Sequence, residues 1–283
     1  MYRPMTIIAA SGITVLTLVI VVPFLRLLAA AIAVQYDLTY AQAFQLISAE
    51  PLFMALATVI GIGFALVAGK AWVDPDASWK RVLWANRVPL RIVALALVAG
   101  FALQFPLAEL SNFSEFVFPI SLEEKEFIHR VMTPKGWKRI FSTLLALAVI
   151  VPICEEVLFR GLLLRGLKYT YGAASALFVS SILFGLSHFR LPTAILPATI
   201  AGLLLGLIAL RSGSIWPSIA MHAAVNTVPV IISPEIVLIR GFNDVQSQVS
   251  HISVALLIGS CLISLVVLAV LVATARTGGN SSP

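Results

Sequence analysis

The chain has 283 residues, of which 60% are hydrophobic and only 11% are charged, with a formal net charge of +6. Its mean hydropathy is +1.01, whereas soluble domains are about 45–50% apolar and about 25% charged. This composition excludes a soluble globular domain and indicates a polytopic membrane protein. The cationic residues are scattered over short loops, so the positive charge does not indicate nucleic-acid binding.

Apolar stretches long enough to cross a bilayer as helices recur along the chain. They predict an all-α, polytopic transmembrane helical bundle of about eight spans, at 6–32, 52–69, 92–108, 140–164, 172–188, 195–210, 215–232 and 252–275. We expect one membrane domain, 1–283. The spans within 1–108 are expected at its periphery because they contain few polar side chains, and 252–275 is the last span.

A short amphipathic helix is predicted just before the fourth span, at 121–132. Ser121 followed three residues later by Glu124 is typical of a capping box. Beyond it, Phe127 and Val131 fall on one apolar stripe, with charged residues on the other faces. The pattern fits a helix that lies along the membrane interface or docks on the bundle, a helix in a solvent loop, or a lid that guides substrate.

Three ionisable residues fall within the fourth span: Glu155, Glu156 and Arg160. Charged groups inside a membrane are costly and usually have a function. Glu156 and Arg160 are four residues apart, so they share a helix face and can pair. Glu155 points about 100° away from Glu156 and is free to face another group. The alternative interpretation is that both glutamates only hold neighbouring helices together.

Two of the four histidines, His188 and His222, lie in or at the ends of predicted spans. His222 shares a helix face with Asn226, four residues later. Folding the chain at a turn near Gly172 brings Glu155 and His188 to a similar height. His222 would lie only two turns into its span. Either that helix starts below the membrane surface, or the hairpin of the fourth and fifth spans protrudes.

These polar residues suggest two kinds of chemistry. A carboxylate near an imidazole can activate water, and an imidazole with an amide can stabilise an oxyanion. Glu155, His188, His222 and Asn226 together supply both functions. Alternatively, Glu and His from three helices can bind a divalent metal ion. The His-Glu-x-x-His pattern of zinc proteases is missing, so we expect neither a metal nor another cofactor.

At these residues the chain resembles the CAAX protease and bacteriocin-processing (Abi) family of intramembrane endopeptidases, which is related to the type II CAAX prenyl endopeptidase. The family pattern E-E-x-x-x-R corresponds to 155–160, F-x-x-x-H to 184–188 and H-x-x-x-N to 222–226. The three motifs occur in order on three separate predicted spans. Any one of them alone would be weak evidence, but the ordered set is specific.

The resemblance implies that 140–232 is the catalytic core. It implies that Glu155 is the general base and that His188 holds the water, while His222 and Asn226 bind the oxyanion. The supporting residues are then Glu156, Arg160 and Phe184. The implied location is the cell membrane, with multiple passes. The implied partners are membrane lipids and a peptide or protein tail, with or without a lipid attached.

Two other functions remain open from the residues alone. A non-catalytic membrane protein of the same fold could bind peptide tails or act in immunity, but it would not need a base beside an oxyanion site. A transporter could use Glu155, Glu156 and Arg160 as a proton or substrate pathway. No inverted repeat of the kind found in transporters is visible.

Overall fold

The computed structural model describes residues 4–48, 50–73, 76, 78–245 and 248–275. Within these ranges the chain is helical and contains no strand, so the predicted all-α class is confirmed. In chain order the elements are α1 (Ile7–Tyr36), α2 (Tyr40–Ser48), α3 (Pro51–Val73), α4 (Trp79–Val82), α5 (Leu90–Glu115), α6 (Leu122–Met132), α7 (Trp137–Thr143), the π-helical segment π1 (Leu144–Ile150), α8 (Val151–Glu156), the π-helical segment π2 (Val157–Leu164), α9 (Arg165–Leu186), α10 (Pro192–Ser212), α11 (Trp216–Ile231) and α12 (Val254–Ala275).

Six helical stretches of the described chain are long and apolar enough to cross a membrane, compared with the approximate prediction of eight. Two features account for the difference. The predicted fourth and fifth spans form one helical stretch, Trp137–Leu186, which is broken at Gly172, where φ is 79°. Only glycine adopts that conformation readily, so the predicted turn lies there. The predicted seventh span corresponds to α11, which has only 16 residues.

The amphipathic helix α6 begins with the predicted capping box. The Ser121 hydroxyl accepts from the Glu124 backbone N–H, and the Glu124 carboxylate accepts from the Ser121 backbone N–H. These bonds from Ser121 hold the pKa of the exposed Glu124 carboxyl below its usual value. Lys125 forms an ion pair of 2.6 Å with Glu115, which attaches α6 to the end of α5.

The helices that carry the predicted motifs pack into one core. The segment π2 packs against α9, and α9 packs against α10, while α11 lies against both α5 and π1. A buried cluster around Leu158, Leu163 and Phe184 joins the π2 segment to α9. A second buried cluster, around Leu103, Leu205 and Met221, joins α5, α10 and α11. These contacts bring 155–160, 184–188 and 222–226 to the same part of the bundle.

The residues just before α11 are hydrogen-bonded to the loop between α4 and α5. The Ser214 hydroxyl donates to the Asn86 carbonyl at 2.7 Å, and the Asn86 amide donates to the Gly213 carbonyl at 2.9 Å. The backbone N–H of Ile215 donates to the Trp84 carbonyl at 3.1 Å. Ser214 and Ile215, which precede α11, are both buried, and His222 itself is only 6% exposed. His222 is therefore deep in the bundle although it lies early in its helix.

Gly100 allows α5 and α11 to approach closely. A β-carbon at this position would overlap the backbone carbonyl oxygen of Met221 and would lie 2.7 Å from the Ala224 β-carbon. Both neighbours flank His222 on α11. The depth and tilt of the helix that carries His222 therefore depend on the absence of a side chain at position 100.

We expect Gly100→Ala to lower the free energy of unfolding by about 1–3 kcal/mol, because the added methyl group must push α11 away from α5. The measurement is thermal unfolding of the purified protein in detergent. The control is Gly63→Ala in α3, where a β-carbon would meet no atom within 4 Å. This substitution should be neutral or slightly stabilising. Equal unfolding temperatures for the two variants would contradict the close approach of α5 and α11.

Candidate active site

The glutamate pair lies between two π-helical segments. Pro152 is at the second position of α8 and has no backbone N–H to donate to the preceding turn. The preceding turn is wider than an α-helical turn: the Val151 N–H bonds the Ala146 carbonyl, five residues back. π-Helical turns are rare and are frequent at functional sites. Here they set the directions in which Glu155 and Glu156 leave the helix.

Glu156 and Arg160 form the predicted ion pair. Arg160 Nη1 donates to Glu156 Oε1 at 2.9 Å, and the two side chains are only 2% and 0% exposed. Arg160 Nη2 also donates to the Gly202 carbonyl at 3.2 Å, and its Cζ lies 4.5 Å from the centre of the Phe184 ring. The guanidinium therefore links π2 to α9 and α10 while it neutralises the buried carboxylate.

His222 lies between the two glutamates. Its Nδ1 is 2.9 Å from Glu156 Oε1, and its Nε2 is 3.7 Å from Glu155 Oε2. A carboxylate only accepts hydrogen bonds, so Nδ1 carries the proton that it donates to Glu156. The 3.7 Å separation is too long for a direct hydrogen bond. The Glu155 side chain is 17% exposed, so its carboxylate retains access to a small molecule.

His188 is oriented by the turn of helix that precedes it. Its Nδ1 lies 2.9 Å from the Phe184 carbonyl oxygen, which can only accept, so Nδ1 is protonated and Nε2 of the neutral ring is left as an acceptor. The Phe184 ring makes edge contacts with both imidazoles, at centroid distances of 5.1 Å to His188 and 5.7 Å to His222. Phe184 therefore separates the two imidazoles. No hydrogen bond or ion pair joins His188 directly to Glu155 in the described structure.

The Asn226 side chain bonds a backbone carbonyl rather than another side chain of the site. Its amide Nδ2 donates to the Leu147 backbone carbonyl in π1 at 2.8 Å. It lies one turn beyond His222 on α11, as the spacing predicted, and one of its two amide hydrogens is engaged by the backbone. The structure thus brings Glu155, Glu156 and His222 into contact, with Asn226 bonded to the segment just before them.

Sequence reasoning missed the backbone partners of the site. The Gly202 and Leu147 carbonyls hold Arg160 and Asn226, but a carbonyl gives no signal in a sequence because every residue has one. The signal that could have indicated the wide turn is Pro152, which lies inside a predicted span close to the glutamates. Among the side chains described, no group of three His, Cys, Asp or Glu residues is arranged to hold a metal ion.

Removing one member of the buried ion pair leaves the other charge without compensation. We expect Arg160→Met to reduce the free energy of unfolding by about 3–5 kcal/mol, measured by thermal or denaturant unfolding in detergent. The double variant Arg160→Met/Glu156→Gln should recover most of this loss because neither charge remains. A double variant as unstable as the single one would contradict the ion-pair account.

The control for this experiment is Lys135→Met. Lys135 pairs with Glu235 at the surface, where the two side chains are 83% and 67% exposed, and such pairs contribute only about 0–1 kcal/mol. The control separates the effect of burial from the general effect of replacing a cation by methionine.

Comparison with protein families identifies a match to the model described as Type II CAAX prenyl endopeptidase Rce1-like, over residues 137–228. No curated protein and no solved structure matches the chain. The matched segment is about a third of the chain and contains all of the predicted site residues. It supports a protease of the CAAX type in a multi-pass membrane protein. The predicted resemblance to the CAAX protease family is therefore confirmed over residues 137–228.

Proposed function

We propose that the chain is an intramembrane endopeptidase that hydrolyses a peptide bond with a water molecule activated by Glu155 and His188. The proposal rests on the different burial and hydrogen bonding of two adjacent carboxylates. Glu156 is fully buried and is bonded to both Arg160 and His222. Within the described residues, the one ion-pair contact of Glu155 is the longer one with His222, and no hydrogen bond holds its carboxylate. One glutamate therefore has a fixed structural role, and the other is available as a base.

In the proposed reaction, Glu155 takes a proton from the water, and the resulting hydroxide attacks the carbonyl carbon of the scissile bond. The Nε2 lone pair of His188 accepts the second hydrogen of the water and orients it. Protonated Glu155 then gives its proton to the leaving nitrogen as the C–N bond breaks. The products are an amine and a carboxylic acid, which then gives its proton to the amine or to solvent, and Glu155 returns to its starting state.

His222 supports the oxyanion in this scheme. Its Nδ1–H is engaged by Glu156, so Nε2 donates to the oxyanion only when the ring carries a second proton. The second amide hydrogen of Asn226 is a further candidate donor. A preorganised donor of this kind contributes about 10²–10³ in rate in other acyl-transfer enzymes.

The substrate that we propose is a peptide or protein tail at the membrane, with or without a lipid attached. A pocket of about 580 Å³ supports a route for it, between α6 and the helices α2 and α3. The lining includes Phe127, Arg130 and Arg190, as well as Leu191, whose N–H donates to the His188 carbonyl at 2.9 Å. The pocket therefore reaches the turn that carries His188, and we propose that α6 guides the tail into the site.

Replacing Glu155 with glutamine removes the base and keeps the shape of the side chain. We expect Glu155→Gln to lower kcat by at least about 10²-fold while the unfolding temperature stays close to that of the wild type. The measurement is cleavage of fluorogenic C-terminal peptides in proteoliposomes, one series with a prenyl group on cysteine and one without. Undiminished cleavage by Glu155→Gln would contradict the proposed role.

Two controls accompany this measurement. Glu235→Gln changes an exposed glutamate of the surface pair and should cleave at the wild-type rate. A chelator should leave the wild-type rate unchanged if Glu155 and His188 alone activate the water. Loss of cleavage that added zinc restores would favour metal activation by the same residues.

A further inference from the structure

The backbone carbonyl of Leu147 cannot bond either of its regular helical partners. In an α-helix it would accept from the N–H of residue 151, but the Val151 N–H bonds the Ala146 carbonyl in the wider π-helical turn. The π-helical partner of Leu147 would be the N–H of residue 152, five residues on. That residue is proline, which has no N–H. Both helical partners of this carbonyl are therefore unavailable.

Asn226 supplies the missing donor. Its amide nitrogen lies 2.8 Å from the Leu147 oxygen, a normal hydrogen-bond length. A polar backbone group inside an apolar bundle is costly without such a partner. The hydrogen bond from α11 thus stabilises a wide turn that the helix cannot satisfy with its own backbone.

The wide turn matters because α8 follows it directly. One residue more or less in a helix rotates everything after it by about 100° relative to what precedes it. If π1 relaxed to an α-helical turn, Glu155 would point in a different direction. The same helix α11 contacts this region twice, through Asn226 before α8 and through His222 at Glu156, at the end of α8.

We propose that Asn226 is a positioning residue whose amide replaces the N–H that Pro152 lacks, and that it thereby holds π1 in the register that directs Glu155 toward the water. This inference rests on the proposed function for its effect on catalysis. It differs from a role as oxyanion donor alone, since it assigns the effect of Asn226 to the backbone of another helix.

The test uses Asn226→Ala, alone and together with Pro152→Ala, which restores a backbone N–H at position 152. We expect Asn226→Ala to lower kcat about tenfold with little change in KM, as the loss of one buried hydrogen bond implies, and to speed hydrogen exchange of the amides in 144–151. Asn226→Ala/Pro152→Ala should recover exchange protection, because the new N–H can bond Leu147, and it should recover the part of kcat that depends on this bond.

The matched control is Asn226→Ala/Pro197→Ala, which removes another proline from inside a helix, α10. This control should recover neither kcat nor exchange protection. That result would show that rescue is not a general effect of removing a proline from a helix. The inference is overturned if Asn226→Ala lowers kcat without changing exchange, or if Pro152→Ala rescues neither property. The exchange measurement needs no substrate, so its outcome is independent of whether Glu155 is the base.

Discussion

The structure of the site depends on the ion pair between Glu156 and Arg160. An unpaired charge in a helical bundle is strongly unfavourable, and even a paired one needs further hydrogen bonds to offset the loss of water. Here Arg160 is bonded to Glu156 and to the Gly202 carbonyl and lies on the Phe184 ring. Three helical segments therefore meet at one guanidinium, and their relative positions are fixed by its hydrogen bonds.

That arrangement explains why two glutamates that are adjacent in sequence differ in environment. Glu156 points to the cation and is fully buried, whereas Glu155 points to the far side of His222 and remains partly accessible. Binding of His222 Nδ1 to Glu156 then orients the imidazole so that Nε2 faces Glu155. The same ion pair thus orients the imidazole beside the proposed base.

Much of this could be predicted from the sequence. The i, i+4 spacing of Glu156 and Arg160 predicted their pairing, and the pair is observed at 2.9 Å. The capping box at Ser121 was also predicted correctly, because capping is a local interaction that its two residues determine. The three motifs indicated the CAAX protease family, and the segment match agrees with them.

The remaining features could not be predicted because they depend on contacts between distant segments. The approximate count of eight spans compares with six long apolar helical stretches in the described chain, because the predicted fourth and fifth spans are one stretch with a break at Gly172 and α11 has only 16 residues. The depth of His222 depends on hydrogen bonds from the Asn86 loop, more than 120 residues away in sequence. The partner of Asn226 is a backbone carbonyl that becomes available only because π1 is wide and Pro152 lacks a donor.

The central claim is that Glu155 and His188 share one water molecule. The most direct measurement is a cryo-EM map of the protein at a resolution that shows ordered solvent. The account predicts density for a water within about 2.6–3.2 Å of both the Glu155 carboxylate and His188 Nε2. A map in which an apolar side chain fills that space, or in which the Glu155 carboxylate faces lipid, would contradict it.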